Sequence, residues 1–171
     1  SWVYLLQGNS SKAMQLFETE FPSFADESIL SQEFPRSRSG LLNWIQYVEL
    51  LRMTGQEQKA DRFAQKLCEY TQSVVEDPFS RVHIRNFLVL NCHYVSNDKS
   101  EFIKTLENIF FEKKDLMDWF VDIKSGLYLL FENDPEFKSL FKRIEAEVHR
   151  QRAEVIEYLK EEGDWDPAWD K

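Results

Sequence analysis

The apolar residues of this sequence recur at every third or fourth position between a small number of helix-breaking residues. Only 5 Gly and 5 Pro occur among 171 residues, so the uninterrupted segments have the length of helices. A spacing of three and four places apolar side chains on one face of an α-helix, whereas a half-buried strand requires strict alternation. The sequence therefore predicts an all-α fold.

Capping residues and breakers set the helix boundaries. Ser10 or Ser11 begins a helix that ends near Pro22, and a long connection with a short helix near 26–32 follows. Further helices are predicted over 39–53, 56–75, 79–95, 99–111, 115–123 and 135–162. We expect one domain over 1–162 and a tail over 163–171.

Charge and composition narrow the classes of function. A net charge of -9 and a pI of about 4.9 disfavour contact with phosphate backbones, and no local basic patch offsets them. With 43% hydrophobic residues the chain can bury a core, which excludes a disordered protein. No apolar run approaches the roughly 18 residues of a membrane span. We therefore predict no direct nucleic-acid partner and no membrane span.

The first residues, 1–6, have the pattern of a helix end, so we expect a fragment of a longer protein. A basic leader followed by an apolar stretch is not present. We expect a cytoplasmic location, or a periplasmic one if a membrane helix lies upstream.

Two helix-turn-helix units superimpose by their turns. Gly8 and Gly55 are 47 residues apart, and so are Ala13 and Ala60. A small side chain five residues after the turn allows two antiparallel helices to approach closely. The spacing thus predicts a repeated helix pair.

These units resemble the tetratricopeptide repeat. The better match consists of Trp44, Tyr47, Val48, Leu51, Gly55, Ala60, Ala64 and Leu67. The second half of the motif also matches Tyr4, Gly8, Ala13 and Phe17. A third unit over 81–111 has Asn97 at its turn and Phe102 in place of Ala. The period exceeds the family's roughly 34 residues because an insertion occupies 21–38, and the resemblance covers 2–111.

A second resemblance lies in the segment that begins Asp134-Pro135-Glu136-Phe137. It is similar to the C-terminal end of long tetratricopeptide arrays in bacterial signalling proteins, behind winged-helix regulators or adenylate-cyclase-type domains. The two resemblances together imply an α-solenoid closed by a long C-terminal capping helix. They also imply a regulatory or interaction domain whose output activity lies in another part of the protein.

In tetratricopeptide proteins, outward residues of the first helix of each pair line a concave groove. By position, the resemblance implies a partner-binding set of Asn43, Gln46, Tyr47, Leu50, Arg85, Asn86 and Val89. The partner would be a protein or peptide, an attached domain of the same chain, or a second copy in a homodimer. The alternative is a ligand-sensing regulatory domain, for which an apolar pocket near 119–131 would be the distinguishing feature.

Motifs for chemistry are absent from the sequence. His83 and His93 lie ten residues apart, which does not fit a metal pair on one helix, and no catalytic triad, phosphate loop or HExxH occurs. We predict no enzyme activity, no cofactor and no metal site.

The two cysteines and the clustered aromatic residues leave alternatives open. Cys68 and Cys92 fall on facing sides of adjacent helices, where they would form a bridge or remain two buried thiols, and we favour the thiols. Three roles compete for the aromatic residues: packing between helix pairs, closure of the array, or a partner surface. We favour packing for this set: Phe110, Phe111, Trp119, Phe120, Trp165 and Trp169.

Overall fold

The computed structural model describes residues 4, 7–35, 37–113 and 128–166, and these ranges are all-helical. The α-helices are α1 (Ser10–Glu20), α2 (Pro22–Ala25), α3 (Arg38–Met53), α4 (Glu57–Glu76), α5 (Val82–Val95), α6 (Lys99–Glu107) and α7 (Pro135–Glu162). Two 3-10 turns, Ser28–Ser31 and Leu129–Phe131, and one π-helical turn, Asn108–Glu112, complete the regular structure. The all-α prediction is confirmed. The helix predicted over 115–123 lies outside the described residues.

Side-chain caps begin several of these helices. Asp98 accepts a hydrogen bond from the Glu101 N–H at 3.2 Å, and Asp134 accepts from the Phe137 N–H at 3.1 Å. Both caps stand directly before the predicted helix starts at residues 99 and 135. The first helix differs, because Asn9 rather than Ser10 or Ser11 supplies the cap, through the Lys12 N–H at 3.1 Å.

The fifth helix begins later than the predicted residue 79. Asp77 accepts a hydrogen bond from the Phe79 N–H at 2.9 Å, and its carbonyl accepts from the Ser80 N–H at 3.1 Å. Asp77 therefore closes a turn, and the helix begins only at Val82.

The chain divides into two compact units, 1–132 and 133–171. The boundary falls within the predicted single domain over 1–162, which stays a prediction. In the first unit, α3 lies at the centre and packs against α1, α4, α5 and the 3-10 turn at Leu129–Phe131. Every residue from Trp44 to Leu51 is buried as a result.

Three turns of the first unit share one backbone geometry. The turn residues have a left-handed backbone, with φ of 73° at Gly8, 75° at Gly55 and 57° at Asn97. The residue five positions after each turn residue is fully buried: Ala13, Ala60 and Phe102. The relationship to tetratricopeptide repeats itself stays a prediction.

The long connection between α1 and α3 contributes to the core. The Phe24 ring lies 5.1 Å from the Tyr47 ring and 5.9 Å from the Phe63 ring, measured between centroids. Phe34 stacks on Tyr70 at 4.5 Å. These contacts bury Phe24 and Phe34 of the insertion.

The second unit consists mainly of α7. Gly163 ends this helix in the left-handed conformation with φ of 79°, and the Asp164 N–H donates to the Leu159 carbonyl at 2.9 Å. The chain then turns back, so that Lys160 Nζ lies 5.3 Å from the centroid of the Trp165 ring.

Candidate functional site

The predicted groove residues of α3 do not lie on an exposed surface. Gln46, Tyr47 and Leu50 are buried, and Asn43 is half-buried. The Tyr47 hydroxyl is within hydrogen-bond distance of Glu18 Oε1 at 2.8 Å. Gln46, Tyr47 and Leu50 therefore do not point outward into an open groove, because α1, α4 and α5 pack against α3. The partner-binding role of the set stays a prediction.

The predicted residues of α5 are more accessible. Arg85 and Val89 are half-buried, whereas Asn86 is buried and accepts a hydrogen bond from Lys113 Nζ at 3.0 Å. Spacings of three and four residues place Val82, Arg85 and Val89 on one side of α5. This side leads directly to the connection with α4.

The connection between α4 and α5 carries an exposed apolar surface. Phe79 is 92% exposed and Val82 is 57% exposed, and Val75 at the end of α4 is also exposed. Two helices joined by a short connection bring these residues to one end of the hairpin. We call Val75, Phe79, Arg81, Val82 and Arg85 the hairpin tip.

Within the described residues, neither arginine of the hairpin tip has a carboxylate partner. Arg81 and Arg85 make no ion pair within the described part of the chain, and Arg85 Nε is buried without a hydrogen-bond partner. Guanidinium groups that are withdrawn from water usually have an acceptor. The hairpin tip therefore offers positive charge on a chain whose net charge is -9.

A disulfide joins α4 to α5 behind the hairpin tip. Cys68 and Cys92 are bonded, with their Cα atoms 5.1 Å apart. The interpretation of two free thiols, which we favoured from the sequence, is therefore wrong. The sequence placed both residues on facing sides of adjacent helices but gave no measure of the distance between them.

A buried polar group links α3, α5 and the turn at Leu129–Phe131. Glu49 Oε1 accepts hydrogen bonds from the Tyr94 hydroxyl and from the Leu129 N–H, the latter at 2.9 Å. The Leu130 N–H donates to the Tyr94 oxygen at 3.2 Å. We call Glu49, Tyr94 and these two N–H groups the Glu49 cluster.

Burial determines the protonation chemistry of this cluster. Removal from water raises the pKa of Glu49 to about 7, although the hydrogen bonds from Tyr94 and Leu129 act in the opposite direction. Burial, followed by the negative charge of Glu49, raises the pKa of Tyr94. Glu49 Oε2 is buried and has no hydrogen-bond partner in the described structure. The cluster holds a carboxyl that can take up a proton near neutral pH.

Aromatic rings surround the Glu49 cluster. The Tyr94 ring lies 4.8 Å from Tyr128 and 5.3 Å from Phe131, and Phe102 lies 4.9 Å from Tyr128. Tyr128 has a left-handed backbone with φ of 73°. These contacts fix the turn on α3 and α5, so the cluster stabilises the fold.

Neither the Glu49 cluster nor the apolar part of the hairpin tip was predicted from the sequence. A signal existed for Glu49, since it interrupts the apolar run of Val48, Leu50 and Leu51. Phe79 also gave a signal, as a large apolar residue in a short connection. The predicted pocket near 119–131 falls largely outside the described residues.

Within the ranges that the structure describes, no helix combines the length and hydropathy needed to cross a bilayer. The same ranges contain no group of three or more His, Cys, Asp or Glu residues that could hold a metal ion.

The fold and these sites define an all-α helical chain with an exposed apolar and basic hairpin end. Comparison with protein-family models, curated proteins and solved structures finds no match.

Proposed function

We propose that this chain is a non-catalytic helical-repeat module that binds another protein through its hairpin tip. The observation that carries the proposal is the concentration of exposed apolar side chains at one place. Of the eight large apolar residues that are exposed in the described chain, three belong to the hairpin tip: Val75, Phe79 and Val82. Contiguous exposed apolar surface of this kind is typical of protein interfaces.

Charge indicates the chemistry of the partner. Arg81 and Arg85 flank the apolar residues Phe79 and Val82 and have no carboxylate of their own in the described chain. A segment that combines Asp or Glu with large apolar residues complements this surface in both charge and hydrophobicity. The acidic remainder of the chain would disfavour such a segment elsewhere.

The Cys68–Cys92 disulfide supports the same role. It lies on the two helices that carry the hairpin tip and fixes their relative position. A surface that is ordered before binding loses less conformational entropy when the partner arrives. The disulfide therefore favours binding without rearrangement of the hairpin.

The shared turn geometry of Gly8, Gly55 and Asn97 supports a tetratricopeptide-like array. The resemblance of the segment that begins at Asp134 extends the proposal to a regulatory part of a longer bacterial signalling protein. A winged-helix or cyclase domain in the same open reading frame would support this extension, and a reading frame without an output domain would contradict it.

Quantitative co-purification tests the binding proposal. The full chain would be compared with a variant that carries Phe79→Ser and Val82→Ser, and the affinity of the recovered partner would then be measured per site by calorimetry. We expect the variant to bind at least about tenfold more weakly, since central apolar contacts dominate interface energies.

The matched control is Val155→Ser, which removes a side chain that is 56% exposed, much like Val82. It should bind the partner as the wild type does. Arg85→Glu should also weaken binding. Equal affinity for the wild type and the Phe79/Val82 variant would refute the hairpin tip as the binding surface.

A further inference from the structure

One face of α7 follows a heptad pattern. Residues on this face alternate in steps of four and three, which is the 3.5-residue average of a coiled coil. We call the following positions the α7 seam: Phe137, Phe141, Ile144, Val148, Gln151, Val155, Tyr158 and Glu162.

The two halves of the α7 seam differ in exposure. Phe137 and Ile144 in the first half are buried. In the second half, Val155 is 56% exposed and Tyr158 is 62% exposed. The second half therefore leaves apolar surface in contact with solvent on an otherwise charged helix.

A cleft opens on this second half. Its volume is about 390 Å³, and Ile156 and Trp165 line one part of it. The other lining residues are Val148, Gln151, Arg152 and Val155. These four stand at positions i, i+3, i+4 and i+7, which is the set of four residues that receives one side chain of a facing helix in knobs-into-holes packing.

The charges beside the α7 seam select the orientation of a facing helix. Arg150 pairs with Glu147 at 2.5 Å and also with Glu154 on its own helix. Arg152 has no acidic residue three or four positions away and makes no ion pair in the described chain. Its guanidinium group is therefore available to a carboxylate of another molecule.

A parallel copy of the same helix would supply that carboxylate. Each heptad of the α7 seam contributes two seam positions. In a parallel coiled coil, the residue directly before the first of them lies opposite the partner-helix residue whose number is five higher. Glu147 of each helix then faces Arg152 of the other. An antiparallel arrangement centred on the same region places Glu154 against Glu154, which is repulsive.

We infer that α7 pairs with α7 of a second copy of this chain as a short parallel coiled coil over residues 148–162. Val148, Val155 and Tyr158 meet their counterparts, and Gln151 faces Gln151, which fixes the register. The pairing uses a different surface from the hairpin tip and does not depend on the proposed function. Because it spans only two heptads, we expect a reversible dimer whose population rises with concentration.

Sedimentation equilibrium of the full chain at several concentrations tests the dimer. Val155→Glu introduces a charge into the α7 seam and should weaken dimerisation by at least about tenfold. The matched control is Ala153→Glu, which adds the same charge to the same helix at an exposed position outside the α7 seam and should dimerise like the wild type. A monomer at every concentration, or a Val155→Glu chain that dimerises like the wild type, would overturn the inference.

The orientation has a separate test. Val148→Cys should form an intermolecular disulfide under mild oxidation, because a parallel pair brings the two copies of residue 148 together. His149→Cys, on the outward side of the helix, should not crosslink. A chain that dimerises but does not crosslink at residue 148 would refute the parallel arrangement.

Charge exchange adds a specific readout. Arg152→Glu should weaken the dimer, and the double variant with Glu147→Arg should restore it, because the pair is then reversed but still complementary. Circular dichroism would establish that α7 remains helical in each variant. Failure of the exchange to restore dimerisation would contradict the proposed Glu147–Arg152 contact.

Discussion

Glu49 and Tyr94 share a hydrogen bond in the interior of the first unit, and both side chains are completely withdrawn from solvent. Glu49 belongs to α3 and Tyr94 to α5, so the bond joins two core helices. Glu49 also accepts a hydrogen bond from the Leu129 N–H, and the Tyr94 oxygen accepts one from the Leu130 N–H. A carboxyl group thus stabilises this part of the core, and its protonation must affect the stability of the chain.

The first prediction concerns pH. The pKa of Glu49 is about 7 in the folded chain, whereas a carboxyl of the unfolded chain has the ordinary value of 4.5. Because the folded value is higher, the folded chain binds the proton more tightly. The contribution of Glu49 to the free energy of unfolding is fully present below about pH 4.5 and is lost as the pH rises through about 7. The loss is on the order of 3 kcal/mol.

Glu49→Gln isolates this contribution, since the amide oxygen still accepts from Tyr94 and Leu129 but the group does not ionise. Urea unfolding of both proteins at pH 5 and pH 8 provides the measurement. From pH 5 to pH 8, the wild type should lose free energy of unfolding and the variant should not. The difference between variant and wild type should therefore shift in favour of the variant by on the order of 2 kcal/mol. A relative stability that is independent of pH would show that Glu49 does not titrate in this range.

The second prediction concerns the disulfide. Replacing both Cys68 and Cys92 by Ser should lower the free energy of unfolding by about 3 kcal/mol, because the bond closes a loop with a sequence separation of 24. Thermal unfolding with and without reductant measures this loss. Reductant should destabilise the wild type and leave the double Ser variant unchanged; an equal response of both proteins would argue against a bridge in solution.

The third prediction concerns close helix packing. Ala60 is fully buried where α4 follows the Gly55 turn. Ala60→Leu should cost about 1–3 kcal/mol, because the larger side chain forces α3 and α4 apart. Ala153→Leu on α7 serves as control, since Ala153 is exposed and its replacement should change stability by less than about 0.5 kcal/mol. If chemical denaturation gives the same stability for both variants, the small residue is not required for the hairpin.

Local features of the fold were predictable from the sequence because their causes are local. Asp98 and Asp134 bond to N–H groups only two or three residues away, and α7 has the predicted bounds. The Gly55 turn also depends only on the backbone of one residue. Patterns within a short window carry most of this information, whereas the start of α5 at Val82 was not predicted, because Asp77 closes a turn before it.

The candidate sites were less predictable because they depend on what packs against each helix. The resemblance assigned Tyr47 and Leu50 to the outward face of the first helix of a pair. That assignment requires a free face on α3, but four elements pack against this helix. Glu49 is buried by a turn that lies 80 residues further along the chain. The pairing of Cys68 with Cys92 likewise depends on the approach of two helices.

The link between Glu49 and the Leu129 N–H also has a consequence for the order of folding. The other helices around α3 are neighbours in sequence or nearly so, and helix pairs of this kind form rapidly. The turn at Leu129–Phe131 closes a much longer loop, whose entropic cost is repaid only when its hydrogen-bond acceptors are already in place. We therefore expect α3, α4 and α5 to assemble first, and the turn to dock afterwards onto a carboxyl that the early hairpins have already withdrawn from water.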